Sequence, residues 1–251
     1  MTILDNVSTL LFDLDNTLVF MDENQFVMAY ATNAASYFSD VFPDPKVFVH
    51  HLLAGTRYMV STKNTKTNIE KFFDYFLPQC NQLSKEVVYK RFLDFYTTDF
   101  DNVQSIVKTN AIVPKIFDMV LEKFQVVIAT NPLFPEIATL KRIRWAGLGD
   151  YVNKIELITH GEDFSTSKPD IAYYQEILDK IDKKPADCLI IGNDLYNDGS
   201  GSRLGMKFFH VINKVEDSDF LSKETRKDLQ KEDITVTASG TLEEFYELLK
   251  T

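Results

Sequence analysis

Asp13 and Asp15 stand one residue apart where the apolar run Thr9-Leu10-Leu11-Phe12 ends, and Asn16 and Thr17 follow. Side chains at i and i+2 of a strand project the same way, so both carboxylates address one small volume at the strand's carboxyl end. One carboxylate there can act as a nucleophile, and the other can pass a proton to or from a reacting group. Two anions held that close need a counter-charge. Mg2+ suits them, because it takes carboxylate oxygens together with retained water and a substrate phosphate. Taken alone, the same five residues would also make an Asx turn at a strand end.

Three later clusters bear on that choice: Val127-Ile128-Ala129-Thr130-Asn131, then Ser167-Lys168-Pro169-Asp170, then Ile191-Gly192-Asn193-Asp194-Leu195-Tyr196-Asn197-Asp198. Together with Asp13-Leu14-Asp15-Asn16-Thr17, and in this order, the chain resembles the haloacid dehalogenase superfamily of phosphotransferases over nearly its whole length. The resemblance implies Asp13 as nucleophile, Asp15 as general acid and base, and Lys168 as the cation that neutralises the nucleophile and a phosphate oxygen together. Thr130 and Asn131 would bind phosphate with Lys168. Asp13, Asp15 and Asp194 would hold Mg2+, with Asn193 open as a direct ligand because it intervenes in the family's Gly-Asp spacing. Asp198 would stand behind them, either pairing with Lys168 or touching the metal. Asn16 occupies a position where many relatives carry glycine, and asparagine tolerates the left-handed conformation.

The implied activity is Mg2+-dependent hydrolysis of small phosphate monoesters through an aspartyl-phosphate, with a small phosphorylated metabolite as partner. A phosphomutase of the same superfamily is the alternative, and a binding or regulatory protein that retains the fold is another. Asp15 separates this chain from the dehalogenase members, which lack it because a halide leaves without a proton. Phosphonate-cleaving members use a lysine from the inserted domain; Lys63, Lys66 and Lys71 are present, but nothing around them marks an activated amine.

Short apolar runs at 9–13, 125–130, 155–159, 188–192, 208–211 and 235–237 alternate with amphipathic stretches at 114–124, 135–145, 171–181 and 241–249. That alternation predicts an α/β fold, a Rossmann-like parallel sheet flanked by helices. Thr241-Leu242-Glu243-Glu244 reads as a capping box that opens the last helix. Residues 22–108 carry no strand texture, and their aromatics recur at helical spacing, as at Phe72, Phe73 and Phe76 or Tyr89, Phe92 and Tyr96, which predicts packed helices. The resemblance makes residues 21–108 a helical cap of the C1 type, inserted in a core of residues 1–20 and 109–251. The interval from Asn131 to Lys168 leaves no room for the larger C2 cap. Gly55-Thr56-Arg57 reads as a loop between cap helices, where the Arg57 guanidinium could reach an anionic substrate.

The chain has 251 residues, 45% hydrophobic and 25% charged, enough to bury a full core. Its formal net charge of −10 argues against nucleic acid, which is gripped by clustered Lys and Arg. No stretch approaches the ~20 apolar residues of a membrane span, and the first residues lack a basic leader, so a cytoplasmic protein is expected. Cys80 and Cys188 lie outside any metal-ligand spacing and read as buried thiols in a reducing compartment. His50, His51, His160 and His210 are scattered, and adjacent residues on a helix point apart, so at most one is expected at the cleft.

Overall fold

A computed structural model describes residues 2–212 and 233–251. Among these residues six strands form one parallel sheet in the order β5-β4-β1-β6-β7-β8: β1 Thr9–Phe12, β4 Gln125–Ile128, β5 Leu157–Ile158, β6 Cys188–Gly192, β7 Lys207–Val211 and β8 Ala238–Gly240. In that order the chain steps outward from β1 to one edge and then returns to build the other, which places a topological switch point beside β1. Register aligns the strand ends, since Phe12 pairs with both Ile128 and Ile191. Asp13 N donates to Ile191 O at 2.9 Å, and Ala129 N to Phe12 O at 2.7 Å, so the chains leave β1, β4 and β6 at one level.

β1 is buried on both faces, and its side chains alternate between two apolar layers. Leu10 and Phe12 join Phe117 of α5 (Ile112–Lys123) and Phe245 of α8 (Leu242–Leu248), whereas Leu11 joins Tyr173 and Tyr174 of α7 (Ile171–Ile181). The helix over 171–181 and the strand over 188–192 lie where their periodicity puts them. The Thr241 capping box is present, with Thr241 Oγ1 accepting from Glu244 N at 3.2 Å and Glu244 Oε2 from Thr241 N at 2.7 Å. α5 starts two residues before Pro114 because Asn110 Oδ1 accepts Ile112 N at 3.0 Å, and Pro114 still falls within the first turn, where no N–H is needed. The last strand is the clearest shift. It begins at Ala238 rather than Thr235, because Phe209 pairs with Ala238, while Thr235 N donates to Ser202 Oγ at 2.9 Å.

After β1 the chain turns tightly. Leu14 O accepts Leu18 N at 2.9 Å and Val19 N at 3.0 Å, and Asn16 takes the left-handed φ of 59°. A two-residue strand β2, Val19–Phe20, then pairs antiparallel with β3, Lys108–Thr109. Between this pair lie α1 (Glu23–Ser36), α2 (Pro45–Ser61), α3 (Asn68–Phe76) and α4 (Lys85–Thr97), followed by a 3-10 segment over Asp99–Ile106. Their centre is aromatic: Phe38, Phe48, Phe76 and Phe92 are buried against one another with ring centroids 4.7 to 6.0 Å apart. This layer is continuous with the apolar layer on the Phe12 side of the sheet. The start of α3 is tied to the loop after β5, where Asn68 N donates to Phe164 O at 2.7 Å and Ile69 N to Gly161 O at 2.9 Å.

Gly55 and Arg57 differ from expectation. Both lie inside α2, and the glycine serves packing, since a Cβ there would meet Phe72 at 2.9 Å. Among the described residues no helix is long and apolar enough to cross a membrane. Cys80 and Cys188 are free thiols, both buried.

Candidate active site

Open parallel sheets bind ligands outside the strands' carboxyl ends at the switch point. Asp13 follows β1, Thr130 follows β4 and Asp194 follows β6, and all three line one cavity of about 170 Å3. Asp15, Asn131, Lys168, Asn193 and Asp198 line it too. A wider and more open groove of about 700 Å3 runs along α7 past Gln175 and Lys180, and none of these residues faces it.

Lys168 is the electrostatic centre. Its Nζ donates to Asp13 Oδ1 at 2.7 Å and to Asp198 Oδ1 at 2.6 Å, and all three residues are buried. Burial alone would lower the lysine pKa, but the two carboxylates hold it well above its ordinary value, so the ammonium persists. Burial pushes the Asp13 carboxyl up, with Lys168 pulling it back. Burial also pushes the Asp198 carboxyl up, to about 8, so two carboxyl groups share one cation, and Asp194 lines the same cavity.

The loop after β6 is built around Asp198. Its Oδ2 accepts Asp194 N at 2.9 Å, and the close approach requires Gly192, where a Cβ would sit 2.2 Å from that oxygen. Asp194 closes an Asx turn, with Oδ1 accepting Tyr196 N at 2.8 Å and Asn197 N at 3.0 Å. Asn193 Oδ1 accepts the Thr17 hydroxyl at 3.0 Å, and Thr17 Oγ1 accepts Asn193 N at 3.1 Å. That reciprocal pair pins the turn after β1 to the turn after β6. Thr130 is held through its carbonyl, which accepts Thr159 Oγ1 at 2.6 Å and the Tyr173 hydroxyl at 2.8 Å.

Asp15 turns toward α6 (Glu136–Trp145), where its Oδ2 forms an ion pair with Arg142 Nη1. The arginine is 1% exposed and its guanidinium stacks over Phe134 at 4.7 Å. Sequence reasoning passed over Arg142, although Ala138 and Trp145 stand on the same helical face at i−4 and i+3, both buried. An arginine on an apolar face was the available signal. Because its Oδ2 is engaged by Arg142, Asp15 is a less ready side-chain metal ligand than its sequence position suggested.

Arg57 is exposed on α2, and neither it, Lys63, Lys66, Lys71 nor any of the four histidines lines the cavity. Lys71 is buried elsewhere, its amine on the Ser165 carbonyl.

Two buried acceptors at the cavity, Asp15 Oδ1 and Asn131 Oδ1, have no hydrogen-bond partner among the described residues. Buried polar atoms normally do, so these mark a place for a ligand's donors or for water. Among the described residues no three Asp, Glu, His or Cys side chains gather into a metal centre made of protein alone. Mg2+ needs no such cage, since one or two carboxylates with water and substrate phosphate suffice. An all-oxygen donor set that includes the Asp13 and Asp194 carboxyl groups fits that ion.

The sequence pattern of the haloacid dehalogenase-like hydrolases matches residues 7–204. Among curated protein sequences none matches significantly. Solved structures share the fold at low identity. A 2-haloacid dehalogenase from Pseudomonas syringae pv. Tomato DC3000 superposes with a TM-score of 0.58 at 16% identity, covering 97% of this chain and 98% of that one. A HAD phosphatase from Thermococcus onnurineus gives 0.57 at 14%, covering 97% of each chain. The HAD-hydrolase YfnB from Bacillus subtilis, bound to magnesium, gives 0.52 at 19%, covering 98% and 99%.

Proposed function

The chain belongs to the haloacid dehalogenase-like hydrolases, and within that family we propose that it is a Mg2+-dependent phosphatase acting on small phosphate monoesters. The observation that supports this reading is two carboxylates at one cavity, each fixed by its own buried cation: Asp13 by Lys168 beside Thr130, and Asp15 by Arg142, with Asp15 Oδ1 left without a partner among the described residues.

Asp13 attacks phosphorus, forming an aspartyl-phosphate as the ester P–O bond breaks, and Asp15 gives its proton to the departing alkoxide. Water then attacks the same phosphorus, Asp15 takes the water's proton, and cleavage of the Asp13–phosphate bond releases orthophosphate. Lys168 keeps the nucleophile oriented and offsets phosphate charge, while Thr130 and Asn131 offer hydrogen bonds to the phosphoryl oxygens. Asp13 and Asp194 would hold Mg2+, which when bound adds positive charge against the phosphate and the carboxylates. Arg142 fixes Asp15 by one oxygen and leaves the other to carry the proton. A halide needs no such proton, so Asp15 favours phosphoryl over dehalogenase chemistry. Residues 21–108 serve as a helical cap whose α1 closes one side of the cavity through Glu23, Phe26 and Val27.

Turnover of an aryl phosphate by the whole protein, with Mg2+ and with EDTA, tests the reading. Mg2+-dependent release of phosphate that disappears in Asp13→Asn supports it; turnover that survives EDTA or the substitution sinks it.

A further inference from the structure

Helix α3 begins against the core, and its first residue touches both loops that carry the phosphate-binding groups. Thr67 caps the helix, its side chain accepting Glu70 N, so the first-turn N–H groups of the next residues can pair outside the helix. Asn68 N donates to Phe164 O at 2.7 Å and Ile69 N to Gly161 O at 2.9 Å. An asparagine amide also offers two N–H donors from its side chain. Asn68 Nδ2 donates to Pro132 O at 3.2 Å and to Thr166 O at 2.9 Å, and the residue is buried. Pro132 directly follows Thr130 and Asn131, and Thr166 stands two residues before Lys168. Asn131 Oδ1 has no partner among the described residues, and Thr130 is held by its carbonyl, so the backbone of this loop has to place the groups offered to phosphate.

From this arrangement we infer that Asn68 is a positioning residue for the phosphate site: one buried amide on α3 fixes the separation of the Thr130-Asn131 loop and the Lys168 loop. The inference rests on the phosphatase reading of the same site and adds to it a residue that does not line the cavity. Apolar packing would hold α3 on the core at any of several spacings, whereas one nitrogen bonded to two carbonyls sets a single spacing within hydrogen-bond length. Loss of the amide would leave both carbonyls without this donor and let the two loops relax independently. Groups aimed at a reacting centre lose effect steeply with displacement, since a shift of ~1 Å can cost ~100-fold in rate. Because the displaced groups hold phosphate rather than the alcohol, the loss should not depend on the leaving group.

Asn68→Ala removes both side-chain donors, and Asn68→Ser keeps one. Well below the melting temperature, Asn68→Ala should lower kcat by ~10- to 100-fold, by the same factor for nitrophenyl phosphate and for a simple alkyl phosphate, and raise the Ki of orthophosphate several-fold. Asn68→Ser should fall between that variant and wild type. A merely structural amide would lower the melting temperature while leaving kcat and the orthophosphate Ki of the folded protein unchanged, and that result overturns the inference. So does a loss confined to one class of leaving group. The wild-type protein gives a reading that needs no variant to fold: the NMR signal of the Asn68 side-chain amide should move as orthophosphate is added to saturation, and a signal that stays still overturns the inference. Failure of the phosphatase reading looks different: wild-type protein with Mg2+ would release phosphate from no ester, the aryl phosphate included, and the inference would fall with it.

Discussion

Lys168 Nζ lies 2.7 Å from Asp13 Oδ1, and on its other side Asp198 Oδ1 lies at 2.6 Å, so one buried ammonium joins the end of β1 to the loop after β6. Removing one member of a buried ion pair leaves charge uncompensated, typically at a cost of about 3–5 kcal/mol. Lys168→Met should therefore lower the urea midpoint markedly as well as abolish turnover. Asp198→Asn, which keeps an acceptor for the ammonium, should cost less stability. An unfolding midpoint unchanged in Lys168→Met would show that the ammonium is not holding the two carboxylates together.

Asp13→Asn removes the attacking oxygen's charge with almost no change of shape. Loss of a covalent nucleophile lowers kcat by at least ~1,000-fold. The circular dichroism spectrum and melting temperature should stay near wild type, because Lys168 retains Asp198. Asp15→Asn should instead let the phosphoenzyme form from a good leaving group and then persist, so that acid-quenched protein retains labelled phosphate.

How far the site was legible follows from which contacts are local. Strand ends carry their own signals, an apolar run followed by acid and turn residues, and Asp13, Thr130, Lys168 and Asp194 do line one cavity. The 171–181 helix and the 188–192 strand were readable for the same reason, being bounded by capping and turn residues. Arg142 was not, because its partner Asp15 is 127 positions away and no local pattern announces a long-range ion pair. Arg57 failed in the opposite direction. Gly-x-Arg suggested a loop, yet Gly55 is a helix residue selected by the nearness of Phe72 on another helix. Glycine for close packing and glycine for a turn look alike in a sequence.

His160 gives the fold a pH dependence. Its ring sits between Glu162, with Nδ1 3.0 Å from Oε2, and Asp163, with Nε2 3.3 Å from Oδ2; Glu136 also contributes. Burial would lower its pKa, but these carboxylates together raise it above 6.5. A raised folded value means the protonated ring stabilises the fold. That stability is complete below about pH 6.5 and is lost as pH rises through the folded value. Wild-type unfolding free energy should fall across that interval more steeply than that of His160→Gln. Parallel curves would remove His160 as the cause.

Gly192 should accept no side chain. Its Cβ would lie 2.2 Å from Asp198 Oδ2, so Gly192→Ala must push Asp198 away from Asp194 N and from Lys168. Overpacking of this kind costs about 1–3 kcal/mol. Turnover should suffer more than that cost implies, because the charge arrangement around Asp13 is disturbed as well. Gly192→Ala with wild-type kcat would mean that Asp198 need not stay where it is.

Arg142 does not line the cavity; it touches the site through its ion pair with Asp15 and its stacking on Phe134, and only the first of these bears on proton transfer. Holding Asp15 Oδ2 matters only when a proton has to move to the leaving oxygen. Nitrophenolate departs readily without one, whereas a simple alkoxide does not. General acid catalysis contributes ~100- to 10,000-fold, so Arg142→Met should slow alkyl phosphates by ~100-fold or more and nitrophenyl phosphate by far less. Arg142→Lys, which keeps a cation near Asp15, should recover part of the alkyl activity. A merely structural arginine would lower both substrates equally, together with the melting temperature, and equal losses would return Asp15 to the role of a carboxylate that does not transfer protons.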